Sequence, residues 1–126
     1  MKKTTILVIE DNEFNMILVR DLLQLEDFTV VEAFDAEAGI RKARETIPDL
    51  ILMDIQLPGM DGLAATRLIK KDPALKNIPV VALTAYAMEK DKKEAIAAGC
   101  IGFIAKPIDT RIFVNAVSIF ITEHSL

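Results

Sequence analysis

The 126-residue chain has a single cysteine, Cys100, and a single histidine, His124. One thiol cannot form an internal disulfide, so a reducing cytosol fits. One histidine near the C-terminus reads as a solvated tail residue, not as a ligand or phosphoacceptor. Positive charge is not in excess either. Lysine and arginine number 15 against 19 aspartates and glutamates, a net charge of −4. Nucleic-acid binding leaves a basic patch or stripe, so no nucleic-acid partner is expected. Long apolar runs are missing as well. Met1-Lys2-Lys3 resembles the start of a signal peptide, but Glu10-Asp11 cuts the apolar run behind it. That run falls short of the ~7–15 apolar residues a secretory segment needs. Nothing approaches the roughly 20 residues of a membrane span. The expectation is a soluble, cytoplasmic protein that needs no membrane. Internal repeats, low-complexity tracts and linkers are also absent.

Apolar residues make up 52% of the chain. That suits one domain with a real core and argues against disorder. Short Val/Ile/Leu-rich runs separated by helical patterns read as buried parallel strands. Strands are predicted at about 5–10, 29–33, 49–54, 79–83 and 102–105. Helices are predicted at about 12–26, 36–46, 63–71 and 89–98, with a last one running to about 122. Asp11 or Asn12, then Asp35, then Asp109 or Thr110 are the candidate N-caps. Gly99 is the candidate αL stop of the fourth helix. Five strand-then-helix units imply an α/β fold, with helices on both faces of one parallel sheet. Right-handed crossovers leave few topologies. A single doubly wound (βα)5 domain over residues 1–126 is expected, with no output domain.

Four of the runs stop on polar groups suited to phosphate chemistry. Residues 5–9 lead into Glu10-Asp11, 50–53 into Asp54, 79–83 into Thr84, and 102–105 into Lys106-Pro107. In open parallel sheets, ligands sit beyond the carboxyl ends of the strands. All four ends therefore face one rim, which gathers three carboxylates, a hydroxyl and an ammonium. Each residue alone has a plain explanation. Asp54 could be a solvated strand-end acid, and Glu10-Asp11 could cap a helix. Thr84 could be an ordinary strand-end threonine, and Lys106 a surface lysine. Their joint placement is the signal. Carboxylates suit Mg²⁺, which takes oxygen ligands and keeps several waters. Asp11 and Asp54 can each give one oxygen and a backbone carbonyl near Gln56 a third, with Glu10 acting through water. Lysine and hydroxyl suit phosphoryl oxygens. The Lys106-Pro107 bond is a candidate cis peptide.

The last helix carries two apolar stripes. Phe113, Val117, Phe120 and Ile121 make an ordinary core face. Ile112, Ala116 and Ile119 make a second one that a single buried face does not need. The second stripe, with Ile112 and Ile119, is a candidate partner surface. The alternative lies on the first helix, around Phe14 and Ile17.

Val8-Ile9-Glu10-Asp11-Asn12, Pro48-Asp49-Leu50-Ile51-Leu52-Met53-Asp54, Leu57-Pro58-Gly59-Met60-Asp61-Gly62, Leu83-Thr84-Ala85 and Ala105-Lys106-Pro107 resemble the receiver domains of two-component response regulators. The resemblance spans nearly the whole chain. Glu10-Asp11-Asn12-Glu13, Met53-Asp54-Ile55-Gln56-Leu57-Pro58 and Thr84-Ala85-Tyr86-Ala87-Met88 look like stand-alone receivers of the DivK type. This resemblance implies strand order 2-1-3-4-5, one of the common doubly wound orders. Asp54 would then take a phosphoryl group from a phosphohistidine on a histidine kinase or histidine phosphotransfer protein. Asp11, with Glu10 behind it, would hold Mg²⁺, and Thr84 and Lys106 would contact the phosphoryl oxygens. Phe103 would be the switch aromatic. Gln56 and Tyr86 would flank the path of attacking water and lengthen the life of the aspartyl phosphate. Glu10 departs from the aspartate of many receivers. A downstream protein target, and a monomer or weak homodimer, are implied as well. The chain would be no enzyme beyond its own phosphorylation and dephosphorylation.

Other readings fit less well. A detached receiver acting as a relay intermediate keeps the same site. An aspartyl-phosphate phosphatase of the haloacid dehalogenase type wants a second aspartate two residues after the nucleophile, where Gln56 stands. A flavodoxin-like carrier wants a Ser/Thr/Gly loop after the first strand, where Glu10-Asp11-Asn12-Glu13 would repel a phosphate. No nucleotide-binding P-loop is present. A receiver-like module without phosphorylation would usually lack one of the acids, Thr84 or Lys106, and all are here.

Overall fold

Alternate residues of a strand point to opposite faces of the sheet, and here both faces find helices. A computed structural model of the chain describes residues 3–85 and 88–123. Met1-Lys2, Tyr86 and His124, which enter the sequence expectations, lie outside the described residues. The elements run β1 (Thr5–Ile9), α1 (Glu13–Leu25), β2 (Thr29–Ala33), α2 (Ala36–Thr46), β3 (Leu50–Asp54), α3 (Gly62–Lys71), β4 (Val80–Thr84), α4 (Glu89–Ala98), β5 (Gly102–Ala105) and α5 (Phe113–Glu123). The strands form one parallel sheet in the order β2-β1-β3-β4-β5.

The two faces sort by strand register. Leu7, Ile9, Ile51, Met53, Val80 and Ala82 meet α2, α3 and α4 through Ile40, Ala65, Ile69 and Ala95. Ile6, Val8, Leu50, Leu52, Val81 and Leu83 meet α1 and α5 through Met16, Val19, Leu23, Phe113 and Val117. Every residue of β3 and β4 is buried. Burying one Val, Leu or Ile side chain contributes about 1.5–3 kcal/mol. The central strands are therefore the rigid base beneath their polar last residues.

Helix starts follow side-chain chemistry. Asn12, Asp35 and Asp61 accept backbone N–H bonds from Asn15, Ala38 and Ala64 at 3.0, 2.7 and 2.8 Å. Each satisfies a donor that the helix itself leaves unpaired. Gly99 ends α4 with φ 117°, the left-handed stop the sequence suggested. The last helix differs from expectation. Asp109 Oδ1 accepts the Arg111 N–H at 3.0 Å, and the Asp109 carbonyl accepts from Ile112 and Phe113. That side-chain bond closes a separate turn, so the regular helix opens only at Phe113. The third helix opens one residue early, at Gly62, because Asp61 caps it.

Ile47 ends α2 in the left-handed region, at φ 43°. A β-branched residue is strained there, and glycine or asparagine is the usual occupant. Ile47 is half exposed and belongs to neither core cluster, so its side chain contributes little packing in return. Ile47→Asn should therefore stabilise the fold by about 1 kcal/mol. Urea denaturation checks this, and a lower midpoint for the variant would contradict it.

Candidate functional site

The four polar strand ends converge as the sequence suggested. The N–H of Glu10, the residue after β1, donates to the Ala33 carbonyl at 3.0 Å. Asp54 closes β3 and Thr84 closes β4. Lys106 follows β5, and its N–H donates to the Thr84 carbonyl at 2.8 Å. The Lys106-Pro107 bond is cis.

The side chains make one charged cluster. The Lys106 ammonium lies 2.6 Å from Glu10 Oε1 and 3.0 Å from Asp54 Oδ2. Asp54 Oδ1 accepts the Gln56 N–H at 2.9 Å. Glu10 Oε2 accepts the Asn12 N–H at 3.2 Å. Glu10, Asp54 and Thr84 are buried, while Asp11 is exposed at the mouth. Carboxylate oxygens of Glu10, Asp11 and Asp54 lie within 4.8 Å of one another.

Electrostatics follow from this geometry. Burial, then the neighbouring Glu10 carboxyl, push Asp54 above the ordinary carboxylate range, against the Gln56 N–H and Lys106. For Lys106, burial disfavours the ammonium, but contacts with Glu10 and Asp54 outweigh it and hold the lysine above its usual value. One cation thus sits among three acids. Oxygen donors this close match a small, hard divalent cation, whose ligands stand about 2.0–2.1 Å from it. The donor set therefore fits Mg²⁺ in kind.

Other expected residues fall as follows. Gln56 is exposed beside Asp54. Phe103 is half buried, packs against the cluster under α2, α3 and α4, and lies with its ring centroid 4.7 Å from the Lys92 ammonium. Ile112, just ahead of α5, is 60% exposed and Ile119 48%, so both isoleucines of the second stripe face solvent. Phe14 is 85% exposed and Ile17 41%.

Three features escaped the sequence reading. Nothing in the sequence signalled that Glu10 is fully buried and paired with Lys106. Lys92 gave no sign of its aromatic partner. Gly62 entered the sequence reading only as part of segment 57–62 of the family resemblance. A Cβ there would stand 2.1 Å from the Asp54 carbonyl oxygen, so only glycine lets α3 start against the end of β3. The Asp61-Gly62 pair was the available clue, as a cap followed by a residue with no side chain.

Residues 6–118 match the response regulator receiver domain. The chain belongs to the receiver domains of response regulators. It is 39% identical to the polar-differentiation response regulator DivK of Brucella anthropi over 119 residues, covering 94% of this chain and 97% of that one. Among solved structures it resembles the receiver domain of the sensor histidine kinase PA1611 from Pseudomonas aeruginosa. That likeness has a TM-score of 0.87 at 30% identity and covers 96% of this chain and 99% of the other. The PA1611 structure has a magnesium ion coordinated in its active-site cleft. The chemotaxis protein CheY4 of Vibrio cholerae superposes with a TM-score of 0.89 at 23% identity, covering 94% and 98% of the two chains. At that identity the likeness supports the fold alone. The fold class and the family expected from the sequence are both borne out. Among the described residues, no helix is long and apolar enough to cross a membrane.

The raised Asp54 value sets a stability prediction. A raised folded value favours the protonated acid, so the contribution of Asp54 to stability is greatest below the ordinary value of 3.8 and is lost as pH rises through the folded value. Asp54→Asn mimics the protonated form. Without metal at neutral pH, it should melt roughly 2–6 °C above wild type. The gap should close as pH falls toward 3.8. Thermal melts in chelator across pH check this, and a variant melting lower at neutral pH would contradict it.

Proposed function

We propose that Asp54 accepts a phosphoryl group from a phosphohistidine, and that the phosphorylated chain signals through protein contacts. The carrying observation is the Asp54 carboxylate itself. It is buried at a strand end, with one oxygen on the Gln56 N–H and the other on the Lys106 ammonium. Such fixed donors orient a nucleophile and leave charge stabilisation in place for the transfer. In the step, the P–O bond to Asp54 forms as the donor's P–N bond breaks, and the electron pair leaves with the imidazole nitrogen. Phosphoryl transfer depends mostly on positioning and charge neutralisation.

Each residue then has a task. Lys106 neutralises an equatorial phosphoryl oxygen, and the Thr84 hydroxyl donates to another. Asp11, Asp54 and the Gln56 carbonyl would hold Mg²⁺, which when bound screens the charge between carboxylate and phosphoryl oxygens. Asp61 and Gly62 keep the β3–α3 turn tight against Asp54. Gln56 lies where a phosphatase of the haloacid dehalogenase type would carry its second acid, so turnover of outside phosphoesters is disfavoured. The donor class is a histidine kinase or histidine phosphotransfer protein, and the setting is the cytoplasm. Relay of the phosphoryl group onward uses the same residues.

A surface for the reader of this state is near the end of β5. A cavity of about 220 Å³ is lined by Phe103, Ala105, Pro107, Ile112, Phe113 and Ala116. Ile112 at its edge, in the turn before α5, and Ile119 on α5 are both exposed. Exposed apolar area of this kind marks interaction sites. Phe14 and Ile17 on α1 are the second candidate.

Incubation with acetyl phosphate and Mg²⁺, read on a phosphate-affinity gel, tests the acceptor. Wild type should shift, and chelator or Asp54→Asn should abolish the shift. Asp54→Asn labelled at the wild-type rate would end this reading. Ile112→Lys with Ile119→Lys should leave folding and Asp54 labelling intact while weakening phosphorylation-dependent binding. If binding is unchanged, the interface lies elsewhere, with α1 next to be tested.

A further inference from the structure

We propose that the open edge of β2 is a strand-pairing surface for a second copy of this chain, and that Lys42 of α2 holds it shut. β2 lies at the end of the sheet and pairs only with β1. The Thr29 N–H donates to the Thr4 carbonyl at 2.9 Å, and the Ala33 carbonyl accepts the Glu10 N–H at 3.0 Å. The backbone groups of one strand residue point to one edge, and those of the next to the other. Thr29, Val31 and Ala33 therefore turn inward to β1. Val30 and Glu32 turn their N–H and C=O groups outward. Side chains do not seal the strand either. Thr29 is exposed and Val30, Val31 and Glu32 are half-buried, whereas β3 and β4 are buried throughout. An edge of this kind is a template for another strand.

The outward groups select the occupant. Val30 and Glu32 stand on either side of Val31. A two-fold axis through Val31 sets Val30 of each copy opposite Glu32 of the other. Opposite residues of an antiparallel pair can exchange both N–H···O bonds, so the outward groups of both residues find mates. Such a contact is isologous and closes on itself, as a two-fold dimer requires. Thr29, Val30 and Val31 are β-branched, which suits extended pairing. The Glu32 carboxylates would come near the axis, but Arg20 of α1 neutralises each one, with Nη1 3.1 Å from Oε1.

One group stands in the way. The Lys42 ammonium donates to the Glu32 carbonyl. That carbonyl is the acceptor that the Val30 N–H of a second copy needs. A new strand would lie about 4.8 Å from β2, in the space the ammonium fills. By symmetry the block occurs in both copies, so pairing must strip both ammonium groups from their carbonyls. Loss of the Lys42 charge frees both acceptors at once.

The surface uses no residue of the acid cluster, so its test needs neither metal nor phosphoryl donor. Wild type, Lys42→Met and Lys42→Arg are compared by sedimentation across a concentration series. Wild type and Lys42→Arg, which keeps the charge, should be monomers. Lys42→Met keeps the aliphatic stem without the charge. It should bind its own copy at least about tenfold more tightly than wild type, the value of one charge-assisted contact. In that dimer the Val30 and Glu32 amides should exchange with solvent more slowly as concentration rises. Val30→Pro removes an outward N–H and leaves the ladder to β1 intact, so it should return Lys42→Met to the monomer. Lys42→Met that stays monomeric overturns the proposal. So does a dimer whose Val30 and Glu32 amides stay unprotected, or one that survives Val30→Pro. A wild type or Lys42→Arg that pairs as tightly as Lys42→Met shows that the charge is no catch, and overturns it too. Should Val30→Pro fail to fold, amide exchange in Lys42→Met decides alone.

Discussion

A single ammonium lies between two buried carboxylates at the carboxyl rim of the sheet, with a third acid at the mouth. Like charges this close repel, and burial removes the water that would soften the repulsion. Lys106 is the counter-charge that makes the arrangement tolerable. Much of the fold serves to hold that cluster in place. β3 and β4 are buried along their whole length, so their last residues have little freedom. Phe113 and Val117 press α5 onto the opposite face, and α5 fixes the exit of the chain after Lys106. The stability generated in the core is partly offset at the rim, and the rim is where ligand binding can recover it. A cation or a covalent group that changes the charge there shifts a balance the apo fold leaves unfavourable.

The sheet was legible because burial and spacing left little choice. Runs such as Ile51-Leu52-Met53 cannot face water on either side, and helices of matching length separate them. Helix starts were legible where a side chain caps them, as at Asn12, Asp35 and Asp61. The α5 start was not, because Asp109 also uses its side chain in the preceding turn. Sequence gives the same cue for a turn and for a cap, and only the following backbone separates them.

Within the site, identities were legible and contacts were not. Glu10, Asp11, Asp54, Thr84 and Lys106 declared themselves by standing at strand ends. What Glu10 touches depends on strand order, side-chain length and the direction of Lys106, none of which periodicity records. Gly62 shows the same limit from the other side. Its importance lies in an atom it lacks, and a missing Cβ reads as a turn until a neighbour is found 2.1 Å away. The Lys92–Phe103 contact joins α4 to β5 through one flexible side chain, which leaves no periodic trace.

The route from the rim to the surface runs through β4, β5 and α4. Thr84 pairs with Ala105 in register, and the Thr84 carbonyl accepts the Lys106 N–H. A shift at Thr84 therefore reaches β5 directly. Phe103 lies two residues upstream of Ala105, on the face covered by α4, with Lys92 of α4 over its ring. α4 is the helix with least holding it. It buries only Ala95 and Ala98, and no side chain caps its start at Met88. Small residues bury little area, so moving α4 forfeits less hydrophobic stabilisation than moving α1, which buries Met16, Val19 and Leu23. Local free energies of opening are lowest where few apolar contacts hold an element. The rim and a helix that buries only two alanines are joined by one strand pair. By this reasoning α4 and the Phe103 ring it covers are held less firmly than the central sheet.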